Sequence, residues 1–255
     1  GQFHWHIEPV RGREGPQRAS ASNRFDIVYC KCYYILQMLN EQEKANFINS
    51  VSEVLKFLNS RSQDIISRRF GLKTGNFETL ESIGKKYKIT RERVRQIEEA
   101  ALRELRKNFD TFGLNGQIIK IKAILSGYGN AIREDFLFHE FSGTQGKKRV
   151  NAALVFLMAI SSNFENYPEA DSYHSIWTVK DPFYLSRAKE TVEKLVQSFK
   201  KRNSVIPEAE LASFFNKVFQ ENITDKKIIL SYLSLGKFIG RNAFDQWGLM
   251  AWPEV

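Results

Sequence analysis

Between Thr79 and Lys107 the apolar residues fall at helical spacing in two runs, and only Lys88 and Ile89 separate them. Leu80, Ile83 and Tyr87 share one face of a short helix for which Thr79 is the N-cap. Thr90 caps a longer helix running to about Lys107. On a wheel of about 100° per residue starting at Arg91, Val94, Ile97, Ala101 and Leu105 fall between about 240° and 320°, one narrow stripe. Arg91, Glu92, Arg95, Gln96 and Glu99 fall between about 0° and 140°, and Arg103 and Arg106 continue that polar face. A short helix, a tight turn and a longer helix with polar side chains at its start make a helix-turn-helix, whose second helix enters the major groove.

The side chains at the start of the second helix suit base edges. Arg91 and Arg95 can donate two hydrogen bonds to guanine, Gln96 can pair with adenine, and Glu92 can accept from cytosine N4. Lys85, Lys86, Thr90, Arg93, Arg103 and Arg106 are candidates for phosphates, which fix register without reading sequence. The competing reading is a solvated surface helix held by i,i+4 ion pairs. Charge weighs toward nucleic acid. Residues 61–108 carry thirteen basic and seven acidic groups, +6 of the chain's +9, and a concentrated basic footprint is the first mark of a nucleic-acid-binding module.

The remaining segments are read more coarsely. Residues 1–25 mix Gly, Pro, Ser and Arg without an apolar period and read as a loose arm. Residues 26–60 are helical, with a break at Asn40–Glu41. Residues 61–110 hold the helix-turn-helix, with Gly71 suited to a left-handed helix end. From 116 to 182 a helix (Gln117–Leu125), a polar break, an apolar helix (Val150–Ser161) and an aromatic extended stretch (Phe164–Val179) succeed one another. From 183 to 255 the order loosely recurs: helices at Ser186–Lys201, Glu208–Phe219 and Asp225–Leu235, then Phe238–Trp252 with turn residues Gly240, Arg241 and Asn242. The expected fold is mainly α, a helix-turn-helix followed by two winged-helix-like α+β units.

Several function classes drop out. The longest apolar run, Ala152–Ile160, has nine residues, far short of the ~20 that span a bilayer. Cys30 and Cys32 are the only cysteines, so no disulfide framework is expected. On a helix their thiols point about 200° apart, which suits buried small residues better than one metal. His4 and His6 stand without carboxylate or thiol partners, and no metal is expected. The loop Gly143–Lys148 lacks the spacing of a phosphate loop, and His139 and His174 have no nucleophile at meaningful spacing. Trp177, Trp247 and Trp252 read as hairpin packing. No catalytic constellation, cofactor or small-molecule substrate is expected.

The residues then carry a resemblance. Ser62–Leu72 (SQDIISRRFGL) followed by Thr79–Lys107 (TLESIGKKYKITRERVRQIEEAALRELRK) closely resembles region 4 of the bacterial sigma-70 family. The shared steps are Arg69–Leu72, Thr79–Gly84, Thr90–Glu98 and Ala101–Arg106. The resemblance implies recognition of a −35-type promoter element, with base or nearby phosphate contacts at Arg91, Glu92, Arg95 and Gln96. It also implies docking on RNA polymerase through the hydrophobic side of the helices, at Ile65, Arg69, Phe70, Leu102 and Leu105. Nothing before Ser62 resembles the family's region 2. Lys88 departs from a glycine in the turn; in left-handed backbone it costs about 1 kcal/mol. More weakly, Phe238–Val255 resembles the stretch preceding a HARE-type winged helix in some sigma-region-4 proteins, which would make the second unit a truncated one.

The expected function is a DNA-binding transcription protein, sigma-like in its reading of promoter DNA and its contact with RNA polymerase, in the cytoplasm at the bacterial nucleoid. The alternative is a protein-interaction module for polymerase or an anti-sigma-like partner, without promoter specificity.

Overall fold

The computed structural model describes residues 39–143, 148–220 and 222–255. The arm at 1–25, the start of the helical segment from Asp26, and the residues His4, His6, Cys30 and Cys32 lie outside the described residues.

Asn40 opens the first helix, α1 (Glu41–Leu55), with a capping box: its side chain accepts from the Glu43 amide and the Glu43 carboxylate accepts from its own. α2 (Ser60–Arg69) starts on Asn59 and ends at Gly71, whose φ of +65° and approach to the Asn76 backbone leave no room for a side chain. α3 (Leu80–Tyr87) and α4 (Arg91–Lys107) come next. After a 3-10 turn at Phe109–Phe112 come α5 (Asn115–Gly127), β1 (Ala131–Arg133), α6 (Glu134–Ser142), α7 (Lys148–Ile160), β2 (Phe164–Tyr167) and β3 (Ile176–Val179). The chain then runs through α8 (Pro182–Arg202), β4 (Ile206–Pro207), α9 (Leu211–Phe219), α10 (Lys226–Leu235), β5 (Ile239–Arg241) and β6 (Gln246–Leu249). The described residues are therefore mainly helical, with two small antiparallel sheets ordered β1-β3-β2 and β4-β6-β5.

Two expectations are corrected. The polar break before the apolar helix holds a strand and a helix of its own, β1 and α6. Gly240 and Arg241 are not turn residues: they pair with Gly248 and Trp247 in the second sheet. The turn lies at 242–245, where the Asn242 side chain accepts from the amides of Phe244 and Gln246.

Helix, strand, helix, helix, hairpin occurs twice after α4. Over the first three elements the match is position by position at a shift of 74 residues. Leu114 and Ala188, Ile118 and Val192, Ile121 and Leu195, Leu125 and Phe199, Ile132 and Ile206, Leu137 and Leu211, and Phe141 and Phe215 are all buried. Register repeats too: Ile132 lies opposite Trp177, and Ile206 opposite Trp247.

The third helix of each repeat is buried along most of its length, with only its first turn exposed, at Lys148 and Arg149 in α7 and at Lys226 and Lys227 in α10. α7 buries Val150, Leu154, Phe156, Leu157 and Ile160 on different sides and keeps only a narrow half-buried strip at Asn151, Val155 and Ala159, continued by the exposed Lys148. It shares one core with α1, the end of α2 and the second half of α4; Phe156 meets Phe70 edge-on, ring centroids 5.2 Å apart. α10 packs on the first repeat, where the Ser231 hydroxyl donates to the Ala131 carbonyl at 2.9 Å and Tyr232 Oη donates to the Gly129 carbonyl at 3.0 Å. The β2–β3 connection closes on the same joint through a bridge between Tyr173 and Gly236.

Candidate nucleic-acid interface

Three details hold α3 and α4 at their angle. The Thr79 hydroxyl accepts from the Ser82 amide and the Thr90 hydroxyl from the Arg93 amide, each at 3.1 Å, so both helices begin on a satisfied cap. Lys88 ends α3 with φ 54° and ψ 43°, the left-handed residue that the turn demands. A Cβ on Gly84 would stand 2.7 Å from the Ile89 carbonyl oxygen, so only glycine lets the turn fold back this closely. Beneath the turn, Ile65, Ile83 and Val94 form a fully buried cluster, with Leu80, Tyr87, Ile89 and Ile97 packed round it.

A polar staple, which sequence reasoning missed, joins α2 to α3. Tyr87 Oη donates to Asp64 at 2.5 Å and Arg68 Nε donates to the same carboxylate at 2.7 Å, while Arg68 also reaches Glu78 at 2.9 Å. The Tyr87 hydrogen bond, helped by Arg68, holds the Asp64 carboxyl down at about 2. Asp64 and Arg68 at i,i+4 were visible as a pair; Tyr87, twenty-three positions away, was not.

With its apolar stripe packed down, α4 leaves Arg91, Glu92, Arg95 and Gln96 exposed on its first two turns. Arg95 is cradled by acids: Nε and Nη2 donate to Glu92 at 2.9 and 2.8 Å, and Nη1 to Glu99 at 2.5 Å. Hydrogen bonding from Arg95 holds the Glu92 carboxyl below its usual range. These groups stand in solvent, where water screens their pairing, so a base edge can compete for Arg95. Arg93 Nη1 donates to Gln96 at 3.1 Å.

Among the phosphate candidates, Lys85, Lys86, Thr90, Arg93 and Arg103 are exposed, with Lys85 paired to Glu81 at 3.0 Å and Thr90 engaged as a cap. Arg106 Nε and Nη2 donate to the Ala159 carbonyl at 3.0 and 2.8 Å, so the exposed Arg106 also closes the end of α7.

The apolar polymerase candidates are also corrected. Ile65 and Leu105 have no exposed surface, and Phe70 and Leu102 are buried at 8% and 9%. Ile65 lies inside the helix-turn-helix, and the other three lie in the core shared with α7. The apolar side assigned to a partner is covered by this chain itself. Arg69 stays half-buried, donating to the Glu78 carbonyl at 3.2 Å and paired with Glu98 at 3.3 Å.

Among the described residues no three His, Cys, Asp or Glu are placed to hold a metal, and no helix is long and apolar enough to cross a membrane.

Residues 54–107 match the family model for sigma-70, region 4. This segment is a sigma-70 region 4 helix-turn-helix. Region 4 here begins at the end of α1, eight residues before the resemblance read from Ser62 onward, and takes in the buried Val54, Leu55 and Leu58. Its sequence is 46% identical over 56 residues to the RNA polymerase sigma factor SigA of Lactococcus lactis subsp. cremoris, covering 22% of this chain and 15% of that protein. The SigA1 sigma factor of Synechococcus elongatus is 51% identical over 53 residues, 21% of this chain and 13% of its own length. The SigA of Microcystis aeruginosa is 43% identical over 67 residues, 26% and 16%. The chain thus spans about one seventh of the length of these relatives, and the two repeats beyond region 4 lie outside the family match.

Proposed function

We propose that this protein reads double-stranded DNA through the start of α4 and acts in transcription initiation, recognising a −35-type promoter element. The observation that carries the reading is the division of α4 within a region 4 match: Val94 is fully buried while Arg91, Glu92, Arg95 and Gln96 stand exposed together. In this role Arg91 and Arg95 donate to guanine, Gln96 pairs with adenine and Glu92 accepts from cytosine. Lys85, Lys86, Arg93 and Arg103 hold phosphates. The relatives are named RNA polymerase sigma factors, so the polymerase core is the proposed protein partner, met through exposed residues rather than the buried apolar side. The site of action under this reading is the cytoplasm, at the bacterial nucleoid, and it calls for no cofactor.

The two repeats, spanning about 116–182 and 183–255, are proposed to be winged-helix units, since each runs helix, strand, helix, helix, hairpin, with the last strand central in its sheet. In winged helices that read DNA the third helix enters the groove. Here α7 is mostly buried and α10 buries its second half, leaving Lys226 and Lys227 exposed, which favours a structural or protein-contacting role for the repeats.

Binding to a randomised duplex pool at two salt concentrations, with sequencing of what is retained, tests the proposal. An enriched motif resembling a −35 element, with log K falling by about 0.9 per phosphate contact against log salt, is the expected result. Equal retention of selected and scrambled duplexes removes promoter reading and leaves the protein-interaction role.

A further inference from the structure

The joint between the repeats contains a helix seat filled by α10, with a groove of about 730 Å³ left between that helix and α6, and the counterpart of the seat on the second repeat is open. On the first repeat, α10 lies against the end of α5 and against α6. Lys227 is 3.1 Å from Glu140 and stands over the Tyr128 ring at 4.3 Å, and the Tyr232 hydroxyl reaches the Gly129 carbonyl. The shift of 74 residues that relates the repeats carries Tyr128, Gly129 and Glu140 to Arg202, Asn203 and Phe214. Tyr128 is buried in the filled seat, whereas Arg202 and Asn203 are exposed. Around them, between the end of α8 and α9, runs a groove of about 640 Å³ that no described element fills.

The open seat differs from the filled one in charge and shape. Its floor is apolar, with Phe214 packed against Phe199 at a centroid distance of 5.1 Å and Val218 beside it. Its walls carry Lys201, Arg202 and Lys217 against one acid, Glu210, which already pairs with Arg202 at 3.2 Å. The acid that receives a lysine in the filled seat is gone, and cations stand about the open one. A Cβ on Gly129 would come within 2.9 Å of the Tyr232 ring; Asn203 brings that carbon, so the open seat has no room for a tyrosine at the same place.

We propose that this groove is a docking seat for an amphipathic helix of a partner protein, acidic along the flank facing Lys201, Arg202 and Lys217 and small where it crosses Asn203. Apolar contact with Phe214 and Val218 supplies the affinity, and the cations select the partner's charge and speed its approach. The filled seat beside it shows that this fold holds a helix in that place, and the exchange of residues specifies a different occupant.

The test is a fluorescence polarisation titration of the full chain with a labelled, hydrocarbon-stapled peptide carrying the α10 sequence from Asp225 to Leu235 with K226E, K227E and Y232A. Saturable binding with a Kd below about 1 mM is expected, at least tenfold tighter than for the unaltered α10 peptide. The chain variant K201E/R202E/K217E loses tenfold or more, with unchanged circular dichroism. Ser213→Trp, which fills the groove without altering charge, produces a comparable loss and stands as the second variant if the triple one misfolds. No saturation up to about 1 mM, equal binding of the two peptides, or indifference to both chain variants overturns the proposal.

Discussion

α4 and α7 occupy comparable places: each is the last helix of a helical unit, and each packs its apolar residues on the helices before it. α4 buries a stripe and leaves the polar side of its first two turns in solvent, whereas α7 buries most of its surface and keeps only a half-buried strip at Asn151, Val155 and Ala159. The difference is one of composition. α4 interleaves Arg and Glu with Val94, Ile97, Ala101 and Leu105, so it can be half in and half out. From Ala152 to Ile160, α7 has no polar position to offer water. One helix keeps a polar face in solvent; the other joins region 4 to the first repeat.

Removing a side chain from the joining helix gives the largest expected effect. Phe156→Ala, fully buried against Phe70, is expected to destabilise by about 3–5 kcal/mol. Denaturant unfolding monitored by both far-ultraviolet ellipticity and tryptophan fluorescence checks it. A variant in which region 4 keeps its stability while only the first repeat loses its own breaks the comparison.

On the reading helix the effect moves from folding to binding. Arg95→Ala is expected to weaken the preferred duplex by about 1–3 kcal/mol and relax base preference there, while stability changes by less than about 0.5 kcal/mol. Direct titration of preferred and scrambled duplexes at one salt concentration measures both parts. If the scrambled duplex suffers equally, Arg95 holds phosphate and the division of α4 loses its meaning.

The staple under the reading helix falls between these cases. Asp64→Ala is expected to cost about 1–2 kcal/mol, since Tyr87 and Arg68 lose a shared acceptor. Asp64 titrates below its usual value, so its contribution is complete above about 3.8 and fades as pH falls toward about 2. Wild type and variant should therefore converge in stability across that acid window. A difference that stays constant down to pH 2 rejects the assignment.

The smallest effect lies in the turn. Lys88→Gly relieves left-handed strain at φ 54°, and the gain, offset by the greater freedom of glycine in the unfolded chain, is about 0.5 kcal/mol. A thermal melt that drops instead shows Lys88 making a contact worth more than its strain.

How much could be read in advance depends on how local the signal is. Thr79, Thr90, Gly71 and the Val94 stripe are governed by neighbours within a turn or two, so the helix-turn-helix was legible. β1 was hidden because three strand residues show no period and the strand is defined by its partner β3, whereas α6 offered Leu137 and Phe141 one turn apart and was passed over for the charged and glycine residues on either side of it. The apolar faces of α2 and α4 were legible as apolar, but periodicity does not say what covers them. Phe70, Leu102 and Leu105 therefore read as a surface for another protein until α7 was seen on top of them. The bond from Arg106 was hidden for the same reason, its acceptor lying 53 residues further on. The shift of 74 residues between the repeats was missed because all four equivalent positions on the long helices change residue, Leu114 to Ala188 and Leu125 to Phe199 among them, while Ile132 and Ile206, Leu137 and Leu211, and Phe141 and Phe215, which keep identity, are too few to show as a repeat.

That same bond from Arg106 to Ala159 has a consequence for birth order. During synthesis, region 4 leaves the ribosome with one side of its core open, and its lid arrives only after some fifty further residues have been made. Until then Phe70, Leu102 and Leu105 face solvent or a chaperone, a window set by translation speed, at about 5–20 residues per second in general. The chain therefore completes region 4 only after it has made its neighbour.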